Sequence, residues 1–274
     1  MTNPTIRSIH VHPVKSVAGY ALGETAVEPW GLAGDRRWTL IDPSAKVVTQ
    51  RQQPRLALAR AETMPDGGIR LTAPGHESLT VAVPEPVGTV AVEIFGDKVE
   101  TVPVGGPADD WFSDYLDAEV RLVHLDDPAN RRPIDPEYAL PGETVHLGDA
   151  YPLLVTTLAS LDALNSLIAQ GDHADEGPLP MTRFRPNVVV DGTAPWAEDD
   201  WRRIAMGEVT FRVAKPCGRC VITTTDQRTA ERGKEPLRTL ARHRRVGEKL
   251  VFGQCLVPER TGVIRVGDAV TVLA

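Results

Sequence analysis

No apolar run in this chain is long. Glycine and proline number 23 each and recur at short intervals from end to end, with segments rich in Val, Ile and Thr between them. Short β-branched runs bounded by turn-forming residues read as strands. Segments 38–41, 46–50, 55–59, 69–72, 78–83, 90–95 and 98–104 fit that description. Pro84, Pro86 and Pro103 lack the amide hydrogen that a ladder needs, so they belong at strand ends or edges. Many short strands of this kind pack as a largely antiparallel barrel or sandwich.

Helical spacing is confined to three places. Segment 107–116 carries Trp111, Tyr115 and Leu116 with acids early in it. Segment 158–168 repeats Leu158, Leu161, Leu164, Leu167 and Ile168 near the helical period, and Gly171 follows where a helix would stop. Segment 236–245 has proline in its first turn and arginines in its last. The expected fold class is therefore mainly β (α+β) with a few helices. At roughly 150 residues per domain, 274 residues make one large domain or two small ones. Segment 121–125 reads as a strand, and segment 126–142, rich in Pro, Asp and Arg, as a long loop. We place a soft boundary near residue 120, between a β-rich unit 1–120 and a mixed unit 121–274.

Charge and cysteine content narrow the function classes. Lys plus Arg is 30 and Asp plus Glu 37, for a net charge of −7. That balance argues against nucleic acid, whose phosphates call for a basic face. The basic cluster 242–245 reads as a solvated helix end. The first residues contain no apolar signal region, and no stretch approaches the roughly 18–20 apolar residues of a spanning helix. Three cysteines are too few, and odd in number, for a disulfide scaffold. The expectation is a cytoplasmic protein with no membrane contact. Neither a Walker loop nor a Gly-x-Gly-x-x-Gly fingerprint occurs. His10 and His12 alternate on a presumed strand and read as surface or packing residues.

The segment most charged with chemistry is Lys215-Pro216-Cys217-Gly218-Arg219-Cys220, which runs on into Val221-Ile222-Thr223-Thr224-Thr225. Its CxxC pair has four readings. It could be half of a zinc site, which needs four N or S ligands. It could be a thioredoxin-type dithiol, although 221–225 reads as a strand where that motif has a helix. It could hold one functional thiolate favoured by Lys215 and Arg219, or two inert core cysteines. Cys255 has no charged neighbour and reads as a core thiol.

The surrounding motifs resemble the MOSC family, named for the molybdenum cofactor sulfurase C-terminal domain. The resemblance runs through Lys215–Asp226, Gly233-Lys234-Glu235-Pro236-Leu237, Phe252-Gly253-Gln254 and the closing stretch from Gly262 to Asp268. Upstream, His12-Pro13-Val14-Lys15-Ser16, Gly34-Asp35-Arg36-Arg37-Trp38 and Gln50-Arg51-Gln52-Gln53-Pro54-Arg55-Leu56 resemble the N-terminal β-barrel domain that precedes MOSC domains. The stretch Thr182-Arg183-Phe184-Arg185-Pro186-Asn187 is similar to the family's internal Arg-Pro-Asn motif. The amidoxime-reducing branch is the one most resembled.

The resemblance implies a MOSC-type β-barrel preceded by a β-barrel-like domain, and a molybdenum cofactor (molybdopterin) held through one cysteine. The implied metal ligand is Cys220, also the catalytic residue. The implied cofactor contacts are Lys15, Ser16, Arg36, Arg185 and Asn187, the backbone of Gly218 and, loosely, Thr156. Arginine offers a fork and lysine a point charge to a phosphate, and an asparagine suits a pterin edge. The implied activity is reduction of small N-hydroxylated compounds: amidoximes, hydroxylamines and N-hydroxylated bases. The chain ends at Leu273-Ala274, and three cysteines cannot supply a four-thiolate iron–sulfur cluster beside a molybdenum ligand. Electrons are therefore expected from a separate ferredoxin, flavoprotein or small haem protein. The rival readings are a cysteine-persulfide sulfur carrier and a non-catalytic cofactor-binding protein.

Overall fold

A computed structural model describes residues 3–274. Its principal sheet has nine strands. In spatial order eight of them are Tyr20–Leu22, Thr5–Val11, Val188–Asp191, Leu153–Thr157, Lys249–Pro258, Val209–Gly218, Arg203–Met206 and Val270–Val272. The short strand Arg245–Val246 pairs with Lys249–Pro258 off this path. The sheet curls back on itself: Thr5 and Ala269 form an isolated bridge, and Val270 N–H donates to the Pro4 carbonyl at 2.8 Å. Its interior is filled by Ile6, Ile9, Val155, Val188, Val190, Phe211 and Leu256, all buried. The parallel pair Leu153–Thr157 and Val188–Asp191 is almost continuously buried, as strands covered on both faces are.

Three smaller sheets complete the β structure. A five-stranded one runs Val90–Ile94, Asp97–Pro103, Arg121–His124, Trp38–Ile41, Val47–Val48. The strands Arg60–Thr63, Ile69–Ala73 and His76–Val81 form a meander, and Glu24–Glu28 lies between Gly262–Arg265 and Gly31–Leu32. A second core of Val14, Trp38, Leu40, Leu56, Ile69, Phe112 and Leu122 joins the N-terminal strands to the helix Pro107–Leu116. The mainly β, α+β class is thus borne out. Strands from both sides of residue 120 share the principal and the five-stranded sheets.

Two expected helices form as read: Pro107–Leu116, and Leu158–Ala169 capped by the Thr157 hydroxyl on Ser160 N–H. The third is shorter, Leu237–His243, because Pro236 stands before its first turn rather than in it. Segment 221–225 is not a strand. Val221–Thr224 is a turn of 3-10 helix in which the Thr223 and Thr224 hydroxyls each donate to a carbonyl three residues back at 2.8 Å. β-Branched threonine can satisfy backbone acceptors in this way, and local bonding outweighs its strand preference here. Segment 55–59 likewise falls in a 3-10 turn, Pro54–Ala57. Among the described residues no helix is long and apolar enough to cross a membrane.

Candidate functional site

A cavity of about 620 Å³ opens where several loops meet the end of the ten-residue strand Val209–Gly218. Lys15, Ser16, Arg36, Arg185, Asn187, Gly218 and Cys220 all line it. Thr156 does not. It is fully buried on Leu153–Thr157, and its hydroxyl donates to Met181 Sδ at 3.2 Å.

The first loop leaves the strand Thr5–Val11. Lys15 N–H donates to the Trp38 carbonyl at 2.8 Å, and Gln50 Nε2 clamps the Ser16 carbonyl at 2.6 Å. Ser16 is held at φ 69°, a left-handed conformation that costs a non-glycine residue free energy. Arg36 and Arg185 share this strain, at φ 45° and 52°. Three such residues round one cavity are backbone positions fixed by their surroundings.

Asp35 does much of the fixing. Its carboxylate is fully buried and pairs with Arg36. It accepts from His12 N–H at 2.7 Å and Asn187 Nδ2 at 2.9 Å, and lies 3.2 Å from His146 Nε2. Burial alone would push this carboxyl up; the Arg36 guanidinium and His146 overcome that and hold it well below the usual carboxylate range. Asn187 spends its whole amide internally. Its Oδ1 accepts from Arg36 and Leu154 N–H, both at 3.1 Å, and its Nδ2 donates to Asp35 and to the His10 carbonyl. It therefore orients Arg36 rather than offering free donors. Arg185 donates to the Val17 carbonyl at 2.8 Å, and its own carbonyl accepts from Arg36 at 3.2 Å.

Lys15, Arg36 and Arg185 share two acids, and among the described residues Arg185 has no carboxylate of its own at ion-pair range. Burial, then Arg36, lowers Arg185 from its ordinary value. Lys15 is also lowered by burial, although its ammonium lies 2.7 Å from Asp149 Oδ1. Burial, with Arg185 and Arg36 close by, keeps His12 neutral. A cavity wall that crowds guanidinium and ammonium groups in this way is built for an anion.

The sulfur part of the wall follows from a β-bulge. Register between Val209–Gly218 and Lys249–Pro258 slips between Pro216 and Gly218, as a proline inside a strand requires. Arg219 N–H then donates to the Leu250 carbonyl at 2.7 Å, and the chain turns at Cys220 into its 3-10 helix. Cys220 Sγ faces Arg51 Nη2 at 3.3 Å. Arg219 serves the other cysteine: its Nη1 is 2.9 Å from Cys217 Sγ. The neighbouring Cys255 thiol and this guanidinium hold the Cys217 thiol down, while Cys255 is pushed up. Lys215 attends neither sulfur at hydrogen-bond range; its ammonium lies over the Tyr138 and Tyr151 rings at 4.4 and 4.7 Å. So Lys215 is corrected as a neighbour of the thiolate, while Arg219 is one for Cys217; Arg51 flanks Cys220, and all three cysteines line one cavity. Among the described residues no three His, Cys, Asp or Glu side chains are grouped to hold a metal. A metal at Cys220 would need its remaining ligands from outside the protein.

Comparison with known proteins settles the kinship. Residues 3–119 match the MOSC N-terminal beta barrel domain, and residues 142–271 match the MOSC domain. The chain belongs to the MOSC family. It is 32% identical over 290 residues to human mitochondrial amidoxime-reducing component 1, covering 98% of this chain and 83% of that one. The Danio rerio mitochondrial amidoxime-reducing component 1 is 33% identical, with 97% and 83% covered. A Danio rerio molybdenum cofactor sulfurase is 29% identical, but this chain spans only 31% of it.

In this MOSC protein both matched regions supply the cavity: Lys15, Arg36 and Arg51 come from the first, and Arg185, Cys217 and Cys220 from the second. Sequence reasoning missed Asp35, Arg51, His146 and Asp149. The first two lay inside motifs already singled out; the last two stand in a region with no local signal. It also missed Phe95, which reaches the cavity from the turn between Val90–Ile94 and Asp97–Pro103. Phe95 has φ 53°, is 62% exposed, and its ring lies 5.7 Å from both the Lys15 ammonium and the Arg51 guanidinium.

Proposed function

We propose that this protein binds a molybdenum cofactor and reduces small N-hydroxylated compounds (amidoximes, hydroxylamines, N-hydroxylated bases) with electrons from a separate carrier. The observation that carries the reading is one cavity lined both by a cysteine at the turn of a bulged strand and by a cation-rich, internally braced wall. Those residues fit the group. Cys220 offers a single soft sulfur, the kind of donor a molybdenum centre would take. Lys15, Ser16, Arg36 and Arg185 would hold the doubly charged phosphate. Asn187 would keep Arg36 in place, and Gly218 would present backbone only. When bound, the cofactor would supply the two-electron redox chemistry.

The overall change balances as R–NHOH plus two electrons and two protons giving R–NH₂ and water. The protein's part is to bind and orient. Arg51 would fix the Cys220 sulfur and present its charge beside it, and Phe95 would close the mouth with an apolar face. The relatives named for amidoxime reduction support this reading. Metal analysis of the purified protein should find about one molybdenum per chain, with pterin fluorescence after oxidation. Benzamidoxime should be reduced to benzamidine with viologen as donor. Cys220→Ser should lose metal and turnover together. A protein that carries no molybdenum, or a Cys220→Ser variant that keeps full activity, overturns the proposal.

One observation favours a second reading. Cys217, beside Arg219, is placed to accept sulfur from a donor persulfide, which would make the chain a sulfur carrier. That reading predicts a 32 Da adduct on Cys217 after incubation with a persulfide donor, with no need for molybdenum.

A further inference from the structure

An acidic protein need not be acidic everywhere. Segment 228–249 carries Arg232, Lys234, Arg238, Arg245 and Lys249, all exposed. None of the five has a carboxylate within ion-pair distance among the described residues, whereas Arg242 pairs with Asp172 and Arg244 with Asp199. The exposed acids of this stretch are Glu231 and Glu248. The unpaired cations are not scattered. Arg232 donates to the Gln50 and Arg51 carbonyls at 2.5 and 2.8 Å, so it is tied to the loop that places Arg51 against Cys220. Lys249 lines the cavity and packs on Gly218. Arg245 pairs with Leu250, another lining residue, and Lys234 and Arg238 stand at the start of Leu237–His243. Arg232, Arg245 and Lys249 therefore continue outward from the sulfur side of the cavity, and Lys234 and Arg238 lie between them in sequence, nearer to Glu176 and Asp172.

We propose that this basic rim is the docking surface for an acidic electron-carrying protein. The inference rests on the reductase reading above and adds the place where electrons arrive. Charge selects the occupant: a carrier with a negative face is steered to a positive rim set in an otherwise negative surface, and docking there brings its redox centre to the wall that holds Cys220. Rim charges of this kind act chiefly on association rate and salt dependence. A nucleic acid is disfavoured, because outside this stretch acids outnumber bases.

The test compares the wild type with Arg238→Glu/Arg245→Glu, which alters two exposed side chains outside the cavity lining, and with Arg70→Glu as a control on another sheet. Binding of an acidic plant-type ferredoxin is measured by calorimetry at low and high salt, and turnover is measured with ferredoxin and with reduced methyl viologen. The expected result is at least a tenfold loss of ferredoxin affinity in the double variant. Its viologen-driven rate and the Arg70→Glu protein should be unchanged, and high salt should weaken wild-type binding. Ferredoxin binding that ignores both the reversal and salt overturns the proposal. So does binding of phosphatidylglycerol vesicles that the reversal abolishes while ferredoxin does not bind. If ferredoxin binds as expected but no N-hydroxylated compound is reduced with viologen, the docking surface stands and the reductase reading falls.

Discussion

At the cation-bearing part of the cavity wall nearly every polar atom is committed, whereas the sulfur-bearing part is held by few contacts. Asp35 engages Arg36, His12, His146 and Asn187, and strained backbone at Ser16, Arg36 and Arg185 is locked around it. The Cys220 sulfur, by contrast, has one side-chain neighbour at hydrogen-bond range, Arg51 at 3.3 Å. The lesson concerns what each part would do under the function proposed above. A site for a phosphate must hold like charges together before the ligand arrives, so it needs a buried counter-network. A soft metal ligand needs only to be placed and left uncovered.

The contrast can be broken most forcefully at Asp35. Removing one partner of a buried charged network leaves the others unpaired, so Asp35→Ala should cost about 3–5 kcal/mol by urea denaturation. If the loss is below about 1 kcal/mol, the wall is not braced as described. Acid should act on the same part. His146 accepts from Gly148 N–H on Nδ1 and is buried, and burial lowers its basicity although Asp35 opposes this. Its native form takes up a proton less readily than the unfolded chain, whose histidine protonates near pH 6.5, so stability falls as pH drops through that region. In His146→Gln the decline of the urea midpoint between pH 7 and pH 5 should be shallower. Asp35 has the same sign of dependence in a more acidic range: its contribution is complete above the unfolded carboxylate range and is lost as pH falls below it.

Smaller effects sharpen the other side. Phe95→Asn should raise stability by about 0.5 kcal/mol, since asparagine tolerates positive φ and only two weak cation–π contacts are lost. It should also raise KM for aromatic amidoximes. Cys220→Ser should move stability least, within about 0.5 kcal/mol, while abolishing metal content. A large drop in its unfolding free energy without added metal would mean that the sulfur is structural after all.

Much of this was legible in the sequence, for identifiable reasons. The turn-forming residues and β-branched runs gave the strands, and leucine spacing gave Leu158–Ala169. Lys15, Arg36, Arg185 and Cys220 meet because they belong to motifs whose family resemblance already implied a shared ligand. Asp35 was passed over although its motif was noted, because a carboxylate's role depends on partners such as His146 and Asn187, more than a hundred residues away. Thr156 was drawn in by position alone, and strand geometry turns it away from the cavity. The 3-10 turn after Cys220 was hidden because threonine hydroxyls bond locally, a choice that residue preferences average out.

The first strand of the protein lies beside Val188–Asp191, and its start is stitched to Ala269 and Val270. Synthesis delivers these partners at opposite times. Thr5–Val11 can pair early with Tyr20–Leu22, but its contacts with Val188–Asp191, Ala269 and Val270 wait for residues made much later, and only then can the principal sheet round up. Cys220 lies on the late-made side of that closure and Lys15 on the early-made side. The pocket between them is thus among the last features to come into being, and a chain interrupted before Lys249, Leu250 and Cys255 would lack part of its wall.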